Sequence, residues 1–164
     1  MKFVSIIMGS KSDYDVVVSA AHELEKFGVK YELIISSAHR SPQRTAEYVK
    51  EAEVKGAQVF IAAAGMAAHL AGAIAANTTR PVIGIPMSGG ALNGVDALYS
   101  TVQMPAGMPV ATLAIGKAGV INSAYLAMQI LALSDSELAQ KLKADRAAKA
   151  QGVASDSASV EVIL

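Results

Sequence analysis

Tyr31-Glu32-Leu33-Ile34-Ile35-Ser36-Ser37-Ala38-His39-Arg40-Ser41-Pro42 is the stretch on which the fold turns. Its first five residues are mostly apolar and predict a strand. Ser41 and Pro42 predict a helix start, with serine as N-cap and proline at the first helical position, where its missing N–H costs nothing. In an α/β protein such a strand-to-helix turn lies at the carboxyl edge of the sheet, where ligands bind. This turn holds an imidazole, a guanidinium and several hydroxyls. An imidazole at His39 suits proton transfer near neutral pH. Arg40 can fork onto a phosphate. In isolation Ser-Ala-His-Arg is a polar loop that caps a helix; the other strand ends tip the balance.

Outward from that turn the same unit repeats. Residues 3–8 form a short, nearly continuous apolar run, the pattern of a buried parallel strand. It ends at Gly9-Ser10-Lys11-Ser12-Asp13, and a helix follows with Ser12 as its expected N-cap and Asp13 and Asp15 in the first turn. Val17, Ala20, Ala21, Leu24 and Phe27 give that helix one apolar face, and Gly28 ends it. His22 falls off that face and reads as a surface histidine. A third strand is expected at 59–64, running into Gly65-Met66-Ala67-Ala68-His69-Leu70 and a helix of small residues. A fourth spans 81–86, before a glycine-rich loop at 88–94 and a short helix at 95–102. A fifth spans 110–115. Five apolar strands alternating with helices predict an open, parallel, doubly wound sheet. Two helices close the chain, one at 120–133 and one from a Ser134/Glu137 capping box to about 151. The whole, 1–164, reads as a single domain with 152–164 as a C-terminal tail.

Composition bounds the function. The 164 residues are 52% hydrophobic and only 17% charged. The charged share falls below the usual level of about 25%, which predicts fully covered strands and a large interface between subunits. Lys plus Arg and Asp plus Glu both number 14, so no basic field exists to hold nucleic acid. With no cysteine, disulfides and thiolate metal sites are excluded, which is compatible with a cytoplasmic protein. No membrane span is expected, because the Ala-rich segment at 67–76 is broken by His69 and Gly72 well short of about 20 apolar residues.

Each loop also has a plain structural reading. Gly9 to Asp13 offers N–H groups and hydroxyls to an anion, and Asp13 suits ribose hydroxyls; equally, it is an ordinary helix cap. His69 is slightly more readily a histidine satisfied by a carbonyl than a catalytic one. Met66 and Met87 read as packing residues and Lys117 as a solvated lysine. Three dispersed histidines carry no zinc signature, and no Gly-x-Ser-x-Gly elbow is present.

Taken together, Met8-Gly-Ser-Lys-Ser-Asp13, Ser37-Ala-His-Arg40, Ala67-Ala-His-Leu70, Leu92-Asn-Gly-Val-Asp96, Ser100-Thr-Val-Gln-Met-Pro105 and Ala114-Ile-Gly-Lys-Ala-Gly119 resemble the class I N5-carboxyaminoimidazole ribonucleotide mutase family of purine biosynthesis. The motifs run in family order to about Leu133. The resemblance implies a flavodoxin-like three-layer sandwich with a five-stranded parallel sheet and extra C-terminal helices, assembled as a homo-octamer. It implies an isomerase that moves a carboxylate from nitrogen to carbon, forming 4-carboxyaminoimidazole ribonucleotide, with no metal, ATP or organic cofactor. It assigns His39 as general acid-base and Ser10, Asp13 and Arg40 to the ribonucleotide. Ser12, Ser37, Gly65, Ala68, His69 and Leu70 complete the expected binding set, with 65–70 and 88–92 as walls. Two positions depart from the family pattern: Met66 stands at a usual glycine and Ala71 at a usual proline. Two alternatives share the fold: an aminoimidazole ribonucleotide carboxylase that uses free carbon dioxide, and a binding module without catalysis.

Overall fold

The computed structural model describes residues 2–163. Five parallel strands form one sheet in the order β2-β1-β3-β4-β5, with β1 at Phe3–Met8, β2 at Tyr31–Ile35, β3 at Ala57–Gly65, β4 at Val82–Met87 and β5 at Ala111–Thr112. The chain leaves β1 toward one side for β2 and crosses to the other side for β3. The carboxyl ends of β1 and β3 therefore flank a topological switch point, where a crevice opens.

The helices between strands are α1 at Tyr14–Lys26, α2 at Pro42–Lys55, α3 at Leu70–Ala75, α4 at Val95–Val102 and α5 at Lys117–Ala132. Every residue of β1 and β4 is buried, as their continuous apolar runs require. Successive side chains alternate between faces. Phe3 and Ile7 of β1 and Phe60 and Ala62 of β3 pack with Val49 and Ala52 of α2 and with Leu70 and Ile74 of α3. The alternate set, Val4, Ile6 and Met8, points to the other face. Residues Val17, Ala20, Ala21 and Leu24 are the buried stripe of α1. Phe27, just beyond α1, meets Tyr125 of α5 edge-on at 5.8 Å. The result is the open, parallel, doubly wound sheet that the strand–helix alternation predicts, in the flavodoxin-like α/β architecture that the resemblance implies.

Two strands depart from the expectation of full cover. β2 is an edge strand, half-buried throughout, with Ile35 41% exposed. β5 shrinks from the expected six residues to Ala111–Thr112. Pro109 has no N–H to give a ladder, and beyond Thr112 only single bonds continue the pairing, from Leu113 N–H to the Gly84 carbonyl (3.0 Å) and from Gly116 N–H to the Pro86 carbonyl (2.9 Å). Gly84 itself is required by close approach. A Cβ there would lie 2.4 Å from Thr101 Cγ2 of α4 and 2.8 Å from a Val110 methyl.

The chain divides into two compact units, one ending at Met128 and the other beginning at Gln129. The second unit contains α6, Ser136–Val160. Its cap is Asp135, whose carboxylate accepts from Leu138 N–H at 3.0 Å, so the expected Ser134/Glu137 box does not form. The helix also runs past the expected end near 151, because one glycine among alanines and serines weakens a helix without breaking it. Lys141–Glu137 and Lys149–Asp145 brace it at i,i+4 spacing. Val160, Val162 and Ile163 are exposed, and Leu164, the last residue of the predicted tail, lies outside the described residues.

Candidate active site

Three turns meet at the carboxyl edge of the sheet. The turn between β2 and α2 is tied by its own hydroxyls. Buried Ser36 shares a 2.7 Å hydrogen bond with Thr45 of α2. Ser41 sits at the N-cap position before Pro42, but its hydroxyl turns backward. It accepts from Ser37 N–H at 3.1 Å and donates to the Ser37 carbonyl at 3.0 Å. The Ser37 hydroxyl accepts from Arg40 N–H at 3.2 Å. His39 and Arg40 are thereby presented, exposed, on a closed loop. The guanidinium leans across to β1, with Nη2 donating to the Gly9 carbonyl at 3.3 Å and Nε to Ser37 Oγ at 3.4 Å.

The turn after β1 is a short 3₁₀ segment over Lys11–Asp13. Ser10, rather than the expected Ser12, is its cap: Ser10 Oγ accepts from Ser12 N–H at 3.3 Å and from the Ser12 hydroxyl at 3.0 Å. Asp13 is then the N-cap of α1 and makes no capping hydrogen bond. Partial burial pushes its carboxyl above the usual value of 3.8, so desolvation outweighs the helix dipole there.

The turn after β3 carries Gly65, Met66, Ala67, Ala68 and His69. Met66 has φ of 55°, a left-handed backbone for a side chain that disfavours it. His69 stands at the N-cap of α3, and its ring does not seek a carbonyl. Its Nδ1 lies 2.6 Å from His39 Nε2, with the rings edge-on at 85° and 4.8 Å between centroids. One ring donates and the other accepts, according to tautomer. The two histidines are 30 residues apart in sequence, and nothing in local spacing pairs them. The available signal is topological: β2 and β3 flank β1, so their carboxyl turns converge over its end.

These turns, with Ser88, Gly89 and Gly90 after β4, enclose an open cavity of about 710 Å³. That volume suits a ligand the size of a nucleotide. Ser10, Ser12 and Asp13 line it from one side, Ser37, His39 and Arg40 from the second, and Gly65, His69 and Leu70 from the third. Ala68 is buried and does not line it, nor do Ala91 and Leu92 of the expected wall. Gly9 and Ala67, from the expected anion loop and wall, also line it, and Ala38 and Ala64 contribute without having been assigned a role from sequence. Lys117 is exposed at the start of α5, outside the cavity. Among the described residues no group of three His, Asp or Glu side chains is placed to hold a metal ion.

Residues 3–152 match the family model described as AIR carboxylase. An N5-carboxyaminoimidazole ribonucleotide mutase of Vibrio cholerae is 51% identical over 92% of this chain and 93% of its own. The mutase of Escherichia coli K12 is 52% identical over 92% and 89%, and that of Pyrococcus horikoshii 55% identical over 85% and 78%. The crystal structure of PurE from Treponema denticola superposes with a TM-score of 0.89 at 29% identity, covering 99% of this chain and 100% of that one.

Proposed function

This chain belongs to the AIR carboxylase family, and we propose that it converts N5-carboxyaminoimidazole ribonucleotide to 4-carboxyaminoimidazole ribonucleotide with His39 as general acid-base. The observation that carries the reading is the His39–His69 contact of 2.6 Å at the cavity formed by three serine-rich or glycine-rich turns. Curated mutases at about half identity over most of the chain support it.

The chemistry follows from those groups. The bond between the exocyclic nitrogen and its carboxylate carbon breaks, releasing carbon dioxide, and His39 delivers a proton to that nitrogen. The neighbouring ring carbon, made nucleophilic by the amine, attacks the carbon dioxide and forms the new carbon–carbon bond. The proton on that carbon returns to His39, so the reaction is proton-neutral and redox-neutral. One imidazole serves both steps because it acts as acid and then as base. His69 receives or supplies the hydrogen bond at His39 Nε2 and so fixes the ring and its tautomer. Arg40 and Ser10 hold the phosphate, where guanidinium and hydroxyl donors converge. Asp13 takes the ribose hydroxyls. Ser12, Ser37, Gly65, Ala68 and Leu70 complete the binding set, Ala68 from behind the wall. Holding carbon dioxide beside the ring carbon replaces a bimolecular capture by an intramolecular one.

The finer features belong to the same reading. The chain acts as one mutase domain over 1–164, with 152–164 as its C-terminal tail; the family match ending at 152 supports setting the tail apart. The assembly is a homo-octamer located in the cytoplasm. Val95, Tyr99 and Val102 stand exposed on α4 at i, i+4 and i+7, an apolar stripe that suits burial against another copy. The reaction needs no metal, ATP or organic cofactor.

The test supplies N5-carboxyaminoimidazole ribonucleotide with chelator and labelled bicarbonate and follows the 4-carboxylated product. Rapid, chelator-insensitive formation of largely unlabelled product is expected. Labelled product formed only from aminoimidazole ribonucleotide and carbon dioxide would overturn this reading and move the chain to the direct carboxylases.

A further inference from the structure

We propose that Met66 adds to this chain a closure of the cavity against escape of carbon dioxide that the family's usual glycine does not supply, trading an unfavourable backbone conformation for an apolar bridge between two turns. The inference rests on the mutase reading above.

Strand register sets up the contact. Gly65 ends β3 directly opposite Met87, which ends β4. The residues that follow, Met66 on one side and Ser88 to Gly90 on the other, therefore emerge next to each other at the cavity mouth. Met66 is 62% exposed, an unusual position for a large apolar side chain beside a polar cleft. It also has φ of 55°, where glycine is the residue without penalty. Exposure and strain in one residue are unexplained by packing, and persistent strain of this kind clusters at functional sites.

The side chain reaches the facing loop. A Cβ built on Gly90 would lie 3.5 Å from Met66 Cγ, 3.9 Å from Sδ and 4.0 Å from Cε. The thioether arm thus rests over a glycine that leaves room for it, and Gly90 is itself left-handed at φ of 64°. Among the described residues these two turns share no hydrogen bond, and one flexible, apolar arm joins them. Methionine suits this task because it is unbranched and fills an irregular gap. Ala64 and Ala67 lie on the same side of the cavity and extend the apolar surface. Carbon dioxide is small, so its exit is obstructed sterically, by an arm packed close to the facing loop. Glycine, the family's usual residue at this position, would relax the backbone and remove the arm, so the seam tightens this chain's cavity beyond what the reaction itself requires.

The experiment compares the wild-type chain with Met66→Gly and Met66→Leu. Each is given N5-carboxyaminoimidazole ribonucleotide in labelled bicarbonate, with carbonic anhydrase to equilibrate carbon dioxide, and each is melted thermally. The expected result is a several-fold rise in product label and a lower kcat for Met66→Gly, at an equal or higher melting temperature. Met66→Leu, which restores an apolar arm, brings the label back toward the wild-type level. Wild-type label and kcat in Met66→Gly would overturn the role of Met66 while leaving the mutase reading intact. A lower melting temperature with unchanged label would reduce Met66 to a packing residue. A wild-type chain that makes no product would sink the mutase reading and this inference with it.

Discussion

The turn after β2 and the turn after β3 face each other across one cavity and are built in opposite ways. The first is braced. Ser41 closes onto Ser37 in both directions, Ser37 holds Arg40 N–H, and Ser36 is locked to Thr45. The second has almost no internal bracing, a single backbone bond from His69 N–H to the Ala67 carbonyl (2.9 Å), and it contains a strained residue. The difference teaches how the work is divided. The proposed proton transfer needs an imidazole held in one place, and the loop that carries His39 is held by hydrogen bonds. Enclosure needs an arm that can yield when ligand enters, so its loop accepts strain of about 1–3 kcal/mol.

The harshest way to break this comparison is His39→Asn. Asparagine keeps a polar side chain of similar reach but cannot cycle a proton. The expected loss in kcat is about 10²–10⁴-fold, with product still binding in a competition assay. Retained turnover would mean that the braced turn carries no acid-base chemistry. Ser41→Ala asks a narrower question by removing both bonds to Ser37. Unfolding free energy should fall by about 1–2 kcal/mol and kcat by about tenfold, since His39 is no longer fixed. If urea titration and turnover are both unchanged, the brace is idle and the contrast between the turns collapses.

The smallest effect sharpens the comparison on the third turn, after β1. Asp13 also carries a cost there, electrostatic rather than conformational. Its folded pKa lies above the unfolded value because burial disfavours the charge. The stability it contributes is thus complete below about pH 3.8 and is lost as pH rises through the folded value. Asp13→Asn should therefore melt slightly higher than wild type near neutral pH, with the gap closing below pH 3.8, while binding of the ribonucleotide weakens. Thermal melts from pH 3 to 7 decide it. A lower melting temperature for the variant at neutral pH would mean that the carboxylate at the start of α1 is net stabilising.

The fold was legible because its strands are short apolar runs separated by helices of ordinary length. The His39 turn was legible because Ser-Pro marks a helix start directly after such a run. Local pattern failed where long-range geometry decides. The cover over β2 depends on its being an edge strand, which spacing does not reveal. The length of β5 depends on its pairing with β4, which beyond Thr112 is reduced to isolated bonds from Leu113 and Gly116. Serines 12 and 41 both looked like forward caps, yet Ser10 takes the role assigned to Ser12, and Ser41 bonds backward. The His39–His69 contact joins loops brought together only by the strand order. Met66 stood out as a departure from a glycine, but its backbone angle and its reach to Gly90 emerge only in three dimensions.

The strand order has a consequence for how the molecule comes into being. β1 is made first, yet its two partners, β2 and β3, follow after long intervals of chain. Parallel pairing of this kind is non-local and slow to form compared with helices. A chain that has regained its helices but not the β1–β3 ladder has no convergent turns. The turns that line the cavity therefore come together only once the β1–β3 ladder has formed.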